Sequence, residues 1–172
     1  MVILQNISYT HPNKDLLFSD INFTVNNHEK AALIGNNGAG KSTLLKIIAQ
    51  ELQPSNGQIS IDAEPYFVPQ IFGQYNHFTI AEALKIDKKL NALNEILNGN
   101  TSEENFYLLN DDWTIEDRCK EALNYWQLDD LDLSQKMETL SGGQKTKVFL
   151  SGISIHQPEL VLLDEPSNHL DI

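Results

Sequence analysis

A chain of 172 residues, 41% of them hydrophobic, is long enough for one domain with a buried core, and 24 acidic against 12 basic residues leave a formal net charge of −12. That balance makes a poor generic binder of polyanions, because phosphate affinity rests on Lys and Arg, and no direct DNA binding is expected. The single cysteine, Cys119, excludes an internal disulfide and fits a reducing cytoplasm, while no apolar stretch approaches a membrane span and "MVILQNISYTHPN" lacks the basic start of a signal peptide.

In chain order, "MVILQNISYT" and "LLFSDINFTVNN" are rich in β-branched and aromatic residues and read as strands, with "HPNKD" as the turn between them. "EKAALIG" reads as a short apolar strand running into a glycine-rich loop. "KSTLLKIIAQEL" follows as a helix, with Leu44, Leu45, Ile48 and Leu52 at helical spacing and "PSNG" ending it. "QISID" and "PYFVPQ" read as further strands. Then the character changes. "TIAEALKIDKKLNALNEIL" reads as one helix started by a Thr79–Glu82 capping box. "NGNTSEEN" reads as a loop, and "DDWTIEDRCKEALNYW" as a second helix with Thr114 and Asp117 near its start. A helix after the glycines of "METLSGGQKTKVFLSGISI" and a buried strand in "PELVLLDE" complete the chain. The expectation is an α/β fold, with residues 1–73 and 140–172 as its core and a helical insertion over 74–139.

"GNNGAGKST" fits the pattern G-x-x-x-x-G-K-[ST]. Its members Gly35, Asn36, Asn37, Gly38, Ala39, Gly40, Lys41, Ser42 and Thr43 are the expected phosphate-binding loop. Glycines let backbone N–H groups converge on phosphate oxygens, and the following helix turns its positive end to the same anion. Lys41 adds a mobile charge, and Ser42 offers a hydroxyl to Mg²⁺. An accidental glycine-rich turn would not be flanked by an apolar strand and an amphipathic helix. Asp164 ends an apolar run and is the expected second Mg²⁺ partner; Glu165, its neighbour, points elsewhere and can act on the attacking water instead of the metal. Acids also sit at solvated strand ends, and "LLDE" decides nothing without the phosphate loop upstream. Ser141, in "LSGGQ", can be a plain helix N-cap, or the same bare helix end can be an anion site.

"GNNGAGKST", "LSGGQ" and "LLDEPSNHLD", in that order, closely resemble an ABC-type ATP-binding domain, over nearly the whole chain. The resemblance implies a P-loop NTPase core with an antiparallel β subdomain, ATP and Mg²⁺ as ligands, and ATP hydrolysis between two domains arranged head to tail. It implies that Ser141, Gly142, Gly143 and Gln144 face the ATP of the partner domain, in the same chain or a dimer. Gln70 matches the glutamine that reaches Mg²⁺ and the attacking water, Tyr9 an aromatic that stacks on adenine, and Asp171 an aspartate that communicates across the dimer. "EPSNHLD", with Ser167 for the usual Thr, and "LSGGQKTKV", with Lys147 where transporter domains often carry Arg, are similar to the ABC-F branch, many of whose members act at the ribosome, some in translation and some in antibiotic resistance. About 70 residues separate Gln70 from Ser141, room for a short version of that branch's arm. Lys85, Lys88 and Lys89 cluster there, read first as a solvated helix face. The alternative is the ATP-binding subunit of a membrane transporter; a non-hydrolysing interaction module fits poorly with an intact Lys41, Asp164 and Glu165.

The resemblance also requires a histidine on a later strand to meet the γ-phosphate. None of His11, His28, His77, His156 and His169 is placed for it. The expectation is a domain cut after the catalytic carboxylates, short of a central strand, weak in hydrolysis and marginal in stability.

Overall fold

The computed structural model describes residues 1–167, which divide into two units: Met1–Gln70 with Pro158–Glu165, and Ile71–Gln157 with Pro166 and Ser167. In the first unit, β1 (Val2–Thr10) is the middle strand of an antiparallel sheet, between β2 (Leu16–Val25) and β3 (Asn56–Ile61). Alternation along β1 turns Val2 and Leu4 inward, and they meet Leu44, Ile47 and Ile48 of α1 (Lys41–Ile48) in one core with Ile7 and Leu162. Each of these side chains contributes roughly 1.5–3 kcal/mol by leaving water. Between Gln5↔Gln58 and Ser8↔Asn56, two residues of β1 oppose the single Gly57, a bulge with Asn6 at φ 53°. The helix α1 stops on a left-handed Gln50, whose neighbour Glu51 donates back to the Lys46 carbonyl at 2.9 Å.

A second, parallel pair joins β4 (Pro65–Val68) to β5 (Leu160–Leu163), in the register Pro65↔Leu160 to Val68↔Leu163. Proline opens β4, where a missing N–H is tolerated. The sequence expectation of a strand over 29–35 does not hold. Those residues form no ladder and are all exposed, Ile34 to 95%. A strand exists through the backbone groups of a neighbour, and among the described residues this segment has none.

In the second unit, Thr79 opens α2 (Ile80–Ala83) with the expected capping box: its hydroxyl accepts from the Glu82 N–H, and Glu82 accepts from the Thr79 N–H. The expected single helix is broken. Lys85 adopts φ 58°, Ile86 N–H donates to Ala81 O and Lys85 N–H to Glu82 O, which closes α2 before α3 (Asp87–Leu97) begins. Leu84 and Ile86 are buried by this turn, so core packing overrides a helical pattern. Part of the expected loop is also helical. Ser102 caps α4 (Glu103–Leu109) by accepting from the Asn105 N–H. Thr114 is the N-cap of α5 (Ile115–Tyr125) but forms no side-chain cap; its hydroxyl meets Arg118 instead.

The last helix, α6 (Gly142–His156), falls in this second unit, whereas the sequence grouping placed 140–172 with the core. Its Phe149 stacks on Phe72 at 5.3 Å, Arg118 Nε donates to the Ile155 carbonyl, and Lys145 donates to Asn76. Asp112 binds both Arg118 (2.8 Å) and Lys89 (2.9 Å), and the Arg118 hydrogen bond holds its carboxyl below the usual range. Burial pushes the Cys119 thiol up to about 11, which makes it a packing residue and not a nucleophile. Burial likewise lowers His156, whose ring lies 2.8 Å from the Leu84 carbonyl.

Candidate functional site

The site is built inside the first unit. Gly40 is the N-cap of α1 at φ 92°, and no side chain caps this helix, so its first N–H groups stay available. A Cβ on Gly40 would lie 2.8 Å from Phe18 Cδ1 and 3.0 Å from Leu17 Cδ2, so both the backbone angle and the packing ask for glycine. Lys41 folds along the loop and donates from Nζ to the carbonyls of Gly35 (3.0 Å) and Asn36 (3.2 Å).

The parallel pairing of β4 and β5 carries the carboxylates to the same place. Asp164 N–H donates to the Val68 carbonyl at 3.0 Å and continues the ladder by one residue. Its side chain is buried and accepts from Ser42 Oγ at 3.0 Å. Glu165 then takes φ 48°, an uncommon angle for a long side chain, and turns away from Asp164. Gln70 Nε2 donates to Glu165 Oε2 at 2.7 Å, and Lys41 Nζ lies 4.0 Å from Glu165 Oε1.

A cleft of about 410 Å³ is lined by Asn37, Gly38, Gly40, Lys41, Ser42, Thr43, Gln70 and Glu165, with His11 and Leu17 as further walls; Asp164 is not in its lining and reaches it through Ser42. Tyr9 is set back from it: the ring packs edge-on against His11 (5.5 Å) and tilted against Phe18 (6.2 Å). His11 and Leu17 were not singled out in the sequence. His11 lies just past the end of β1, in the turn to β2, and no signal in the sequence marks it for the cleft. Gly35, Asn36 and Ala39 shape the loop, with Ala39 N–H donating to Asn36 O, but do not line the cleft.

Among the described residues no three of His, Cys, Asp and Glu gather as a metal cage. Mg²⁺ does not require one. It takes one or two protein ligands and fills its octahedron with phosphate and water oxygens. Two adjacent oxygens at its usual bond length lie about 2.9 Å apart, and Ser42 Oγ and Asp164 Oδ1 are 3.0 Å apart. The donor set fits that ion.

In the second unit, Ser141 and Gln144 form a reciprocal capping box at the start of α6: Ser141 Oγ accepts from the Gln144 N–H (3.2 Å), and Gln144 Oε1 accepts from the Ser141 N–H (2.9 Å). Gly142 and Gly143 occupy the first helical positions. Asp171 and His169 lie outside the described residues. No described helix is long and apolar enough to cross a membrane.

Comparison with known proteins gives consistent relatives. The family described as "ABC transporter" matches residues 18–168. ABC transporter F family member 3 of Arabidopsis thaliana is 31% identical over 173 residues, spanning 100% of this chain and 21% of that protein. Zinc import ATP-binding protein ZnuC of Hydrogenovibrio crunogenus is 29% identical over 175 residues, 100% of this chain and 62% of that one. The solved dimeric post-hydrolysis state of the ATP-binding cassette MJ0796, bound to ADP and Pi, superposes with a TM-score of 0.69 at 25% identity, over 99% of this chain and 76% of that chain. The chain thus spans 21% of the F family relative and 62% of the zinc-import relative.

Proposed function

The chain belongs to the ABC transporter family, and on that premise we propose that it binds Mg²⁺-ATP along Gly35–Thr43 and, once a second ATP-binding domain closes on it, hydrolyses that ATP. One observation carries this reading. Lys41, Ser42, Gln70 and Glu165, from three separate stretches of chain, line one cleft, and Asp164 joins them through its 3.0 Å hydrogen bond to Ser42.

The geometry supports the following roles. Backbone N–H groups of the loop and of the start of α1 receive phosphate oxygens. Lys41 exchanges the carbonyls of Gly35 and Asn36 for phosphate, since its amine already sits inside the loop. Ser42 and Asp164 would hold the metal ion, which would neutralise charge on the phosphates. Glu165 takes the proton of the attacking water, and the Gln70 amide fixes the carboxylate that does so. The Tyr9–His11 pair supplies flat rings for the base, with His11 at the cleft wall. Ser141, Gly142, Gly143 and Gln144 serve the nucleotide of the second domain, and Asp171 acts at the same junction. The dimeric, ADP-bound cassette is the solved precedent for such a pair.

Lys41→Ala tests the binding half of this reading. Losing charge-assisted hydrogen bonds to phosphate should weaken binding of a fluorescent ATP analogue by about 10–100-fold, measured by anisotropy on the 172-residue chain. Affinity unchanged within twofold would remove the loop from nucleotide binding.

Within the family we favour the ABC-F branch, acting at the ribosome, over a transporter subunit. "EPSNHLD" and the F family relative support it; the zinc-import relative supports the alternative. The full-length protein should co-sediment with purified ribosomes in an ATP-dependent manner. Pelleting with membrane vesicles and not with ribosomes would decide for the transporter.

A further inference from the structure

His11 stands in the cleft wall although no part of the phosphate-loop motif calls for it. Among the described residues that line the cleft, His11, Lys41 and Glu165 carry ionisable side chains. Lys41 Nζ and Glu165 Oε1 lie 4.0 Å apart and offset one another. The lining is therefore formally neutral with a neutral imidazole, and positive with an imidazolium. The turn that carries His11 is held in shape. His11 N–H donates to the Asp15 carbonyl at 2.9 Å, Lys14 N–H donates back to the His11 carbonyl at 2.8 Å, and Asn13 Nδ2 donates to Asp15 Oδ2 at 2.7 Å. The start of β2 rests on the phosphate loop itself. Leu17 and Phe18 close on Gly40 so tightly that a Cβ there would lie 3.0 and 2.8 Å from them. The imidazole also meets the Tyr9 ring edge-on at 5.5 Å.

A nucleoside polyphosphate is an anion, and a cleft concentrates the field of a charge placed in its lining. We propose that His11 sets the charge of the nucleotide cleft: its imidazolium form binds a nucleoside polyphosphate more tightly than its neutral form does, so affinity rises as pH falls from about 8 to about 6. The proposal rests on the nucleotide reading and adds to it a proton taken up on binding. The charged and titratable groups around His11 are Tyr9 on β1, Lys14 and Asp15 in its turn, and Lys41 and Glu165 in the cleft lining, with Asp164 behind Ser42. Tyrosine, lysine and carboxylate side chains ordinarily keep one charge between about pH 6 and 8, and histidine ordinarily changes its own there. The change in that window therefore belongs to the imidazole. Linkage fixes the converse: a nucleotide that prefers the imidazolium holds the proton on His11 by the same factor.

The test is equilibrium dialysis of radiolabelled Mg²⁺-ATP against the 172-residue chain at pH 6 and pH 8, at constant ionic strength. The gain in affinity at pH 6 should be about three- to fivefold larger in the unmodified chain than in His11→Phe, the scale of one ion pair open to solvent. His11→Phe keeps a flat ring and carries no charge. Protonation of the nucleotide itself is common to both chains and cancels in the comparison. His11→Arg, cationic throughout, should follow the pH profile of His11→Phe while binding more tightly than the unmodified chain at pH 8. His28→Asn, at a histidine outside the cleft lining, should retain the full pH dependence. In NMR, the titration of the His11 imidazole should move to higher pH when ADP is added to saturation. Profiles of the unmodified chain and His11→Phe that run parallel within about 1.5-fold, or an imidazole titration that ADP leaves in place, would overturn the inference while ATP binding, and with it the nucleotide reading, stands. Absence of saturable ATP binding at both pH values would overturn the two together.

Discussion

Glu165→Gln, in a protein that supplies the second ATP-binding domain, should cut steady-state phosphate release by about 10²–10⁴-fold while ATP binding stays within a few fold. The magnitude is that of losing a general base. The substitution is shape-preserving, and the carbonyl of the new amide can still accept from Gln70 Nε2, so the side chain keeps its place. Proton affinity is lost, together with a negative charge 4.0 Å from Lys41. Relief of that charge frees Lys41 for phosphate, so nucleotide should be held at least as well. Phosphate release and filter-bound ATP, measured together, separate the two effects. Turnover within threefold of the unmodified protein would assign the base to another group, and parallel loss of binding and turnover would make Glu165 a binding residue.

The second large effect is on stability. Gly57→Ala should lower the unfolding free energy of the first unit by roughly 3 kcal/mol or more, read as a reduced midpoint in urea. A Cβ at Gly57 would lie 2.4 Å from the Asn6 carbonyl oxygen and 2.5 Å from that of Gln5. Those are backbone atoms inside the sheet, not side-chain tips that can swing aside. The φ of 95° adds its own strain for any L side chain. To admit the methyl group, β3 must part from β1 at the bulge, beside the Ile7 that packs under α1. A midpoint shift equivalent to less than about 1 kcal/mol would mean that the bulge is soft.

The readable parts of the chain were those with local causes. The capping box of Thr79 with Glu82 is a four-residue signal and appears as expected; Ser141 takes the N-cap position its sequence offered, and the reciprocal bond with Gln144 was legible but unread. The β-branched and aromatic content of β1 and β2 and the spacing of Leu44 and Ile48 depend only on neighbours in sequence. Even the divergence of Asp164 and Glu165 follows from their being adjacent, although the left-handed backbone that produces it was not visible. The misread parts have distant causes. Whether 29–35 forms a strand depends on a partner strand, not on its own apolar residues. The break at Lys85 has no glycine or proline to announce it; it is set by burial of Leu84 and Ile86. The cap of α4 used Ser102 with Asn105, outside the Ser/Thr-x-x-Glu/Gln pattern that marks a box. His11 reached the cleft wall because the β1–β2 hairpin put it there.

The reciprocal box at the start of α6 fixes the polarity of what that helix end can recognise. The Ser141 and Gln144 oxygens are each already accepting from a backbone N–H. The Ser141 hydroxyl proton and the N–H groups of Gly142 and Gly143, which have no partner within the helix, remain to be given. Such an end offers protons far more readily than lone pairs. It discriminates by hydrogen-bond direction before shape or size matters: an amine finds little to bind there, whereas an oxyanion meets several donors at once, without the helix having to rearrange.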